Sequence, residues 1–103
     1  QTIIRNQLIF DIMIRFNVFF QAKAGKYNEA LELTLQLVAE SQKHEGCVAY
    51  DVFESGTRKD VFMLCETWAS WDAHAAHIAT ASFKELMPKI EACGVIKAEH
   101  FEF

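Results

Sequence analysis

The sequence predicts one α+β domain with its elements in the order strand, helix, strand, strand, helix, strand, and three observations carry that prediction. The 103 residues leave room for one hydrophobic core and not two. Short apolar segments that read as strands are separated by longer segments whose apolar residues recur at helical spacing. Glycine and polar loops fall at the joints between them.

From Met13 to Gln21 the residues alternate, with Ile14, Phe16, Val18 and Phe20 on one face and Arg15, Asn17, Phe19 and Gln21 on the other, the mark of a strand. Gly25 introduces a helix in which Tyr27, Ala30, Leu31, Thr34, Leu37, Val38 and Ser41 share a side. Gly46, after Lys43, His44 and Glu45, suits the stop because glycine tolerates the left-handed conformation. Cys47 to Glu54 and Val61 to Trp68 read as two strands joined by the polar loop Ser-Gly-Thr-Arg-Lys-Asp, hence an antiparallel hairpin. Ser70 can cap a helix running from Trp71 to about Thr80, with Asp72 at its positive end. A helical stretch from Ser82 to Cys93 follows, in which Pro88 should impose a kink or begin a new turn. Gly94 releases the chain into a last strand, Val95 to Phe103.

Lengths agree, since a helix from Lys26 to His44 spans roughly 28 Å and an eight-residue strand roughly 26 Å. This is the ferredoxin-like βαββαβ plan: a four-stranded antiparallel sheet with helices on one face, the single domain occupying residues 13–103. The uncovered apolar face of such a sheet asks for a partner, and two of them packed together make a homodimer with a dimeric α+β barrel. Residues 1–12 lack an initiating Met and read as an N-terminal extension: an expression remnant, a misassigned start, the stub left by signal cleavage, or an extra edge segment.

Apolar residues make up 51% of the chain and its apolar runs reach only four or five residues, against the roughly 20 needed to cross a bilayer. No membrane span is expected. A net charge of -4 without a Lys/Arg cluster argues against nucleic acid, whose binding needs a basic stripe. Cys47, Cys65 and Cys93 form an odd set without CxxC spacing, which suits reduced thiols in a cytoplasmic protein better than disulfides or zinc.

Placing the hairpin turn on Thr57 and Arg58 sets Phe53 opposite Phe62, Cys47 opposite Trp68 and Ala49 opposite Glu66. Small residues would then face a large ring and a carboxylate, a ligand pocket with few polar anchors. Glu66, in the midst of Phe62, Leu64 and Trp68, is expensive to bury without a partner and should be hydrogen-bonded or functional. Asn17 among the phenylalanines of the first strand raises the same question. His74 and His77 are neighbours on one helix surface; with no third ligand placed nearby, metal is not expected. His77 reads either as a proton acceptor in the pocket or as a histidine of the helix surface or core. His100 should face solvent, and Trp68 and Trp71 read equally as core or interface aromatics.

Glu45-Gly46-Cys47 with Tyr50 in the second strand, Glu66-Thr67-Trp68 closing the third, and His77, Thr80 and Phe83 after it are similar to the antibiotic biosynthesis monooxygenase family of small ferredoxin-like dimers, including quinol monooxygenases. The resemblance covers Met13 to Phe103. It implies oxidation of a small aromatic diol or quinol by O₂ with no cofactor and no metal. In that scheme His77 takes the proton, Asn17 hydrogen-bonds the developing oxyanion, Glu66 orients its neighbours, and Trp68 stacks on the ring beside Phe62 and Leu64. Members often carry a second His where this chain has Ser82. The haem-degrading branch uses an Asn, a Trp and an iron-binding His; here His77 fills the Trp position and Met87 the axial one, so haem degradation is not implied. Two alternatives stand beside the oxygenase: an isomerase of phosphorylated signalling sugars on the same fold, and a non-catalytic dimeric domain binding a small molecule.

Overall fold

A computed structural model describes residues 12–103. The extension expected over residues 1–12 lies outside the described residues except for Ile12. Seven elements follow in order: β1 (Ile14–Ala22), α1 (Tyr27–Ser41), β2 (Cys47–Glu54), β3 (Val61–Trp68), α2 (Trp71–Ile78), α3 (Ala81–Glu91) and β4 (Gly94–Glu102). The strands form one antiparallel sheet in the order β2-β3-β1-β4, the ferredoxin-like topology in which two βαβ halves interlock. No helix among the described residues is long and apolar enough to cross a membrane.

Alternation in β1 and β3 decides what the helices cover. Ile14, Phe20, Phe62, Leu64 and Trp68 point to the helical side and are almost wholly buried there with Leu37 of α1 and Leu86 and Ile90 of α3. Burying each such side chain contributes about 1.5–3 kcal/mol relative to exposure. The opposite face carries Phe19, Met63 and Cys65 at its centre and leaves Phe53, Val95 and Phe101 at least half exposed.

The second helical region differs from expectation in its punctuation. Ser70 caps α2 through Ala73 N–H at 3.1 Å, but the helix ends at Ile78 and Thr80 caps a separate α3 through Phe83 N–H at 3.3 Å. Pro88 sits within α3, which continues past it, the Pro88 carbonyl accepting from Ala92 N–H at 3.1 Å. The missing Pro88 N–H falls on an exposed position, where water can satisfy the freed carbonyl of the preceding turn.

The hairpin register is one residue away from the expected one over most of its length. Phe53 pairs with Met63 and Tyr50 with Glu66, while Cys47 still faces Trp68 because a bulge lies between Cys47 and Ala49. Ser55 N–H bonds Val61 C=O at 3.0 Å, and Asp60 takes a positive φ of 61°, so the loop closes one residue away from a turn centred on Thr57 and Arg58. The consequence is chemical: a slip of one exchanges the two faces of a strand, and Tyr50, not Ala49, stands opposite Glu66.

Candidate active site

Glu66 and Trp68 are two apart on β3 and so share its helical face. Both are buried, Glu66 at 5% exposure and Trp68 at none, and the indole donates Nε1–H to Glu66 Oε1 at 2.8 Å. Tyr50 enters from β2, its hydroxyl close to Glu66 and to Ser41 yet meeting neither in hydrogen-bonding geometry. His74 of α2 approaches from above, Nε2 at 4.0 Å from Glu66 Oε1, and its ring stacks on Phe16 of β1 with centroids 4.1 Å apart.

His77 lies one turn further along α2, 1% exposed. Its imidazole stacks on the Trp68 indole at 4.5 Å and 30°, with Tyr50 at 5.5 Å and Phe83 of α3 at 5.0 Å, both edge-on. Nδ1 of His77 meets Nδ1 of His44 at 2.9 Å. Nε2 is buried and, among the described residues, has no partner; the same holds for Tyr50 Oη, Ser41 Oγ and Thr34 Oγ1. Each such orphan costs about 1–3 kcal/mol relative to a satisfied group, and two of them, His77 Nε2 and Tyr50 Oη, belong to rings packed on the Trp68 indole.

Desolvation governs the electrostatics. Burial pushes the Glu66 carboxyl up from 4.5 to about 7, against the stabilising hydrogen bond from Trp68 and the nearby Tyr50 hydroxyl. Burial, followed by the neighbouring His44 and His74 rings, lowers His77 from 6.5 to about 4, and burial also lowers His74. The Tyr50 phenol is held well above its ordinary value by burial and by Glu66. The buried part of the site is therefore close to neutral at rest: uncharged His74 and His77 imidazoles, an un-ionised Tyr50 phenol, and a Glu66 carboxyl poised near physiological pH.

Of the residues singled out from the sequence, His77, Glu66 and Trp68 come together here. Phe62 and Leu64 lie on the same face of β3 but further from its end, lining with Thr34 and Met87 an apolar internal cavity of about 10 Å³. That is room for one water-sized sphere, so an aromatic ring enters only by displacing side chains. Asn17 is not part of the site. It pairs with Cys65, not Glu66, so its side chain is on the uncovered face, where Nδ2 donates to Glu99 Oε1 at 3.3 Å; alternation along β1 forbids it from reaching His77 within the same chain. Trp68 is also less free than expected of a stacking platform, because His77 already covers one face of its ring. His100 is exposed as expected, at the rim beside Trp71 and Phe16.

The sequence reading missed His44 and the pairing of Tyr50 and His74 with Glu66. Gly46 is the local reason His44 arrives. Its φ of +81° turns the chain after α1, and a Cβ there would fall 2.4 Å from Ala73 Cβ, so the loop presses directly onto α2. Ala73 and His77 are one turn apart on that helix, and the same close approach that seats Gly46 on Ala73 seats His44 on His77. Among the described residues no three His, Cys, Asp or Glu side chains converge as a metal site.

The model of the antibiotic biosynthesis monooxygenase family matches residues 13–89. In Bacillus subtilis (strain 168) the protein named "Putative monooxygenase YcnE" is 31% identical over 77 residues, 75% of this chain and 81% of that protein. A crystal structure from Bacteroides thetaiotaomicron, described as a conserved protein of unknown function and "Possible Oxidoreductase", superposes with a TM-score of 0.87 at 46% identity, covering 90% of this chain and 99% of the other. Another from Caulobacter crescentus, described as a putative antibiotic biosynthesis monooxygenase, has a TM-score of 0.82 at 26% identity and covers 93% of each chain.

Proposed function

The chain belongs to the antibiotic biosynthesis monooxygenase family, and from that premise we propose that it oxidises a small aromatic diol or quinol with O₂, without cofactor or metal, as a homodimer. The observation that carries this reading is the buried junction of Glu66, Trp68 and His77, where polar atoms without protein partners sit among aromatic rings. A quinol supplies every electron the reaction needs: hydroquinone and O₂ balance against hydroxyquinone and water. One oxygen atom enters the ring and the other leaves as water. The protein's task is then to remove a phenolic proton, hold the electron-rich anion, and keep bulk water away while O₂ reacts.

In this reading the substrate hydroxyl donates to the unpartnered His77 Nε2. The ring lies against Phe62 and Leu64 after the small cavity beside them opens. Glu66, with a carboxyl near 7, changes protonation where the reaction runs, and Trp68 and His74 hold it in place. Asn17 has no part in the chemistry, since it lies across the sheet. The uncovered face bearing Phe19, Phe53 and Phe101 is the proposed dimer surface.

Oxygen uptake by metal-free protein against a panel of hydroquinones and naphthohydroquinones tests the proposal, with His77→Ala and Trp68→Ala alongside. Protein-dependent uptake above autoxidation that vanishes in both variants is expected. Uptake no greater than autoxidation across the panel would remove the oxygenase reading in favour of an isomerase or a binding domain.

A further inference from the structure

His77 is badly placed to keep a proton. It is 1% exposed, sandwiched between Trp68, Tyr50 and Phe83, and its other near neighbours are His44 from the α1–β2 turn and His74 from its own helix, with Glu66 beyond His74. Among the described residues no carboxylate touches its ring nitrogens to balance a positive charge. A cation at such a site is strongly disfavoured, and a base that cannot carry the proton it accepts contributes little as a terminal acceptor.

The contact with His44 removes this difficulty. The two Nδ1 atoms are 2.9 Å apart, so one must carry a hydrogen and the other a lone pair. His44 lies in the turn between α1 and β2 and is only half-buried, so its ring reaches from the enclosed His77 toward water. We propose that His44 and His77 form a two-imidazole relay that conducts the substrate's proton from the buried site to solvent, with His44 as the positioning and proton-releasing residue. The inference rests on the oxygenase reading for the source of the proton, but the dyad itself is a property of the chain.

The proton balance is explicit. In the resting dyad His77 carries hydrogen on Nδ1, donates it to His44 Nδ1, and offers a bare Nε2 to the phenol. As the phenolic O–H bond breaks and the new N–H bond forms at Nε2, the Nδ1 hydrogen passes to His44. The positive charge thus rests on the half-exposed ring, which returns a proton to water from its own Nε2. When the peroxide formed with O₂ collapses, the O–O bond and the C–H bond of the oxygenated ring carbon both break: the carbonyl forms, and the departing oxygen takes that ring hydrogen and the hydrogen on His77 Nε2 and leaves as water. His44 Nδ1 passes its hydrogen back to His77 Nδ1 and regains one at Nε2 from solvent. Both tautomers are restored, and no hydrogen is created or lost.

Histidine-selective ¹⁵N NMR of the full chain tests the dyad without any substrate. Wild type should show His77 as the Nδ1–H tautomer and His44 as Nε2–H, and exchange of the His77 ring proton with water should slow about tenfold or more in His44→Asn, whose amide occupies the Nδ1 position without relaying a proton. An unchanged exchange rate, or a His77 tautomer indifferent to His44→Ala, would overturn the relay. If wild type oxidises a quinol, His44→Asn should lower kcat about tenfold or more with KM nearly unchanged, and added imidazole should restore turnover to His44→Ala. Slower proton exchange with unaltered kcat would also overturn it. Absence of quinol oxidation would remove the oxygenase reading alone, the relay then standing or falling on proton exchange.

Discussion

Glu66 and His77 are pushed by the same burial in opposite directions, and this makes a pH experiment unusually discriminating. Glu66 moves from 4.5 to about 7, so between those limits the folded chain binds more protons than the unfolded one and stability falls as pH rises. His77 moves from 6.5 to about 4, so between those limits the unfolded chain binds more protons and stability rises with pH. Each shift corresponds to at most about 3 kcal/mol, at about 1.4 kcal/mol per unit. The windows overlap between 4.5 and 6.5, where the slopes nearly cancel, with His74 lowered by burial adding to the histidine side.

Wild type should therefore show an almost level stability across this range, and single substitutions should uncover opposite slopes. Glu66→Gln keeps an acceptor for Trp68 Nε1 but cannot titrate, so its unfolding free energy should climb by up to about 3 kcal/mol from pH 4 to 6.5. His77→Phe keeps an aromatic ring against Trp68 and should let the titration of Glu66 govern the slope, stability dropping by a similar amount from pH 4.5 to 7. Urea unfolding at half-unit pH steps and one fixed protein concentration gives these free energies directly. Three parallel profiles would refute the reasoning, since they would mean that neither group changes its proton affinity on folding.

Gly46→Ala forces a side chain onto a φ of +81° with its Cβ 2.4 Å from Ala73 Cβ, and should lose about 2–4 kcal/mol in thermal or urea unfolding; adding Ala73→Gly should recover the steric part and leave the backbone part. Thr34→Val removes a buried hydroxyl that has no partner among the described residues, beside an apolar cavity, while keeping its shape, and should leave stability unchanged or raise it by up to about 1 kcal/mol; a loss larger than that in urea unfolding would show the hydroxyl to be bonded. Light scattering at micromolar concentration should report a dimer for wild type and a shift to monomer for Phe19→Glu, which places a charge in the middle of the uncovered sheet face; a monomeric wild type would contradict the proposed assembly.

The element order was legible because each element is announced locally, by alternation, helical spacing or a glycine at the joint. Glu66 was legible for a related reason: a carboxylate between Leu64 and Trp68 on a strand that alternates into the core must be buried, and a buried carboxylate must have partners. Who those partners are is not local information. Tyr50 stands opposite Glu66 because the hairpin loop closes one residue away from a turn centred on Thr57 and Arg58, and both faces of β2 carry aromatic or branched side chains, so neither register offends the hydrophobic pattern. His44 is 33 residues from His77, and nothing near it in the chain marks it as more than a polar residue ending a helix.

Asn17 shows the reverse case. Alternation along β1 already separates it from Ile14, Phe16 and Phe20, and the structure confirms that separation; the expectation that it serves the site rested on its being a polar residue among phenylalanines and on the family resemblance. Strand periodicity is the firmer of the two arguments, because moving Asn17 to the other face would drag Arg15 and Gln21 into the core with it and expel Ile14, Phe16 and Phe20. The site is therefore built from the ends of β2 and β3, the loop at Gly46 and one turn of α2. Its acid–base groups are set by how tightly that loop presses on the helix, a distance governed by the absence of a side chain at position 46.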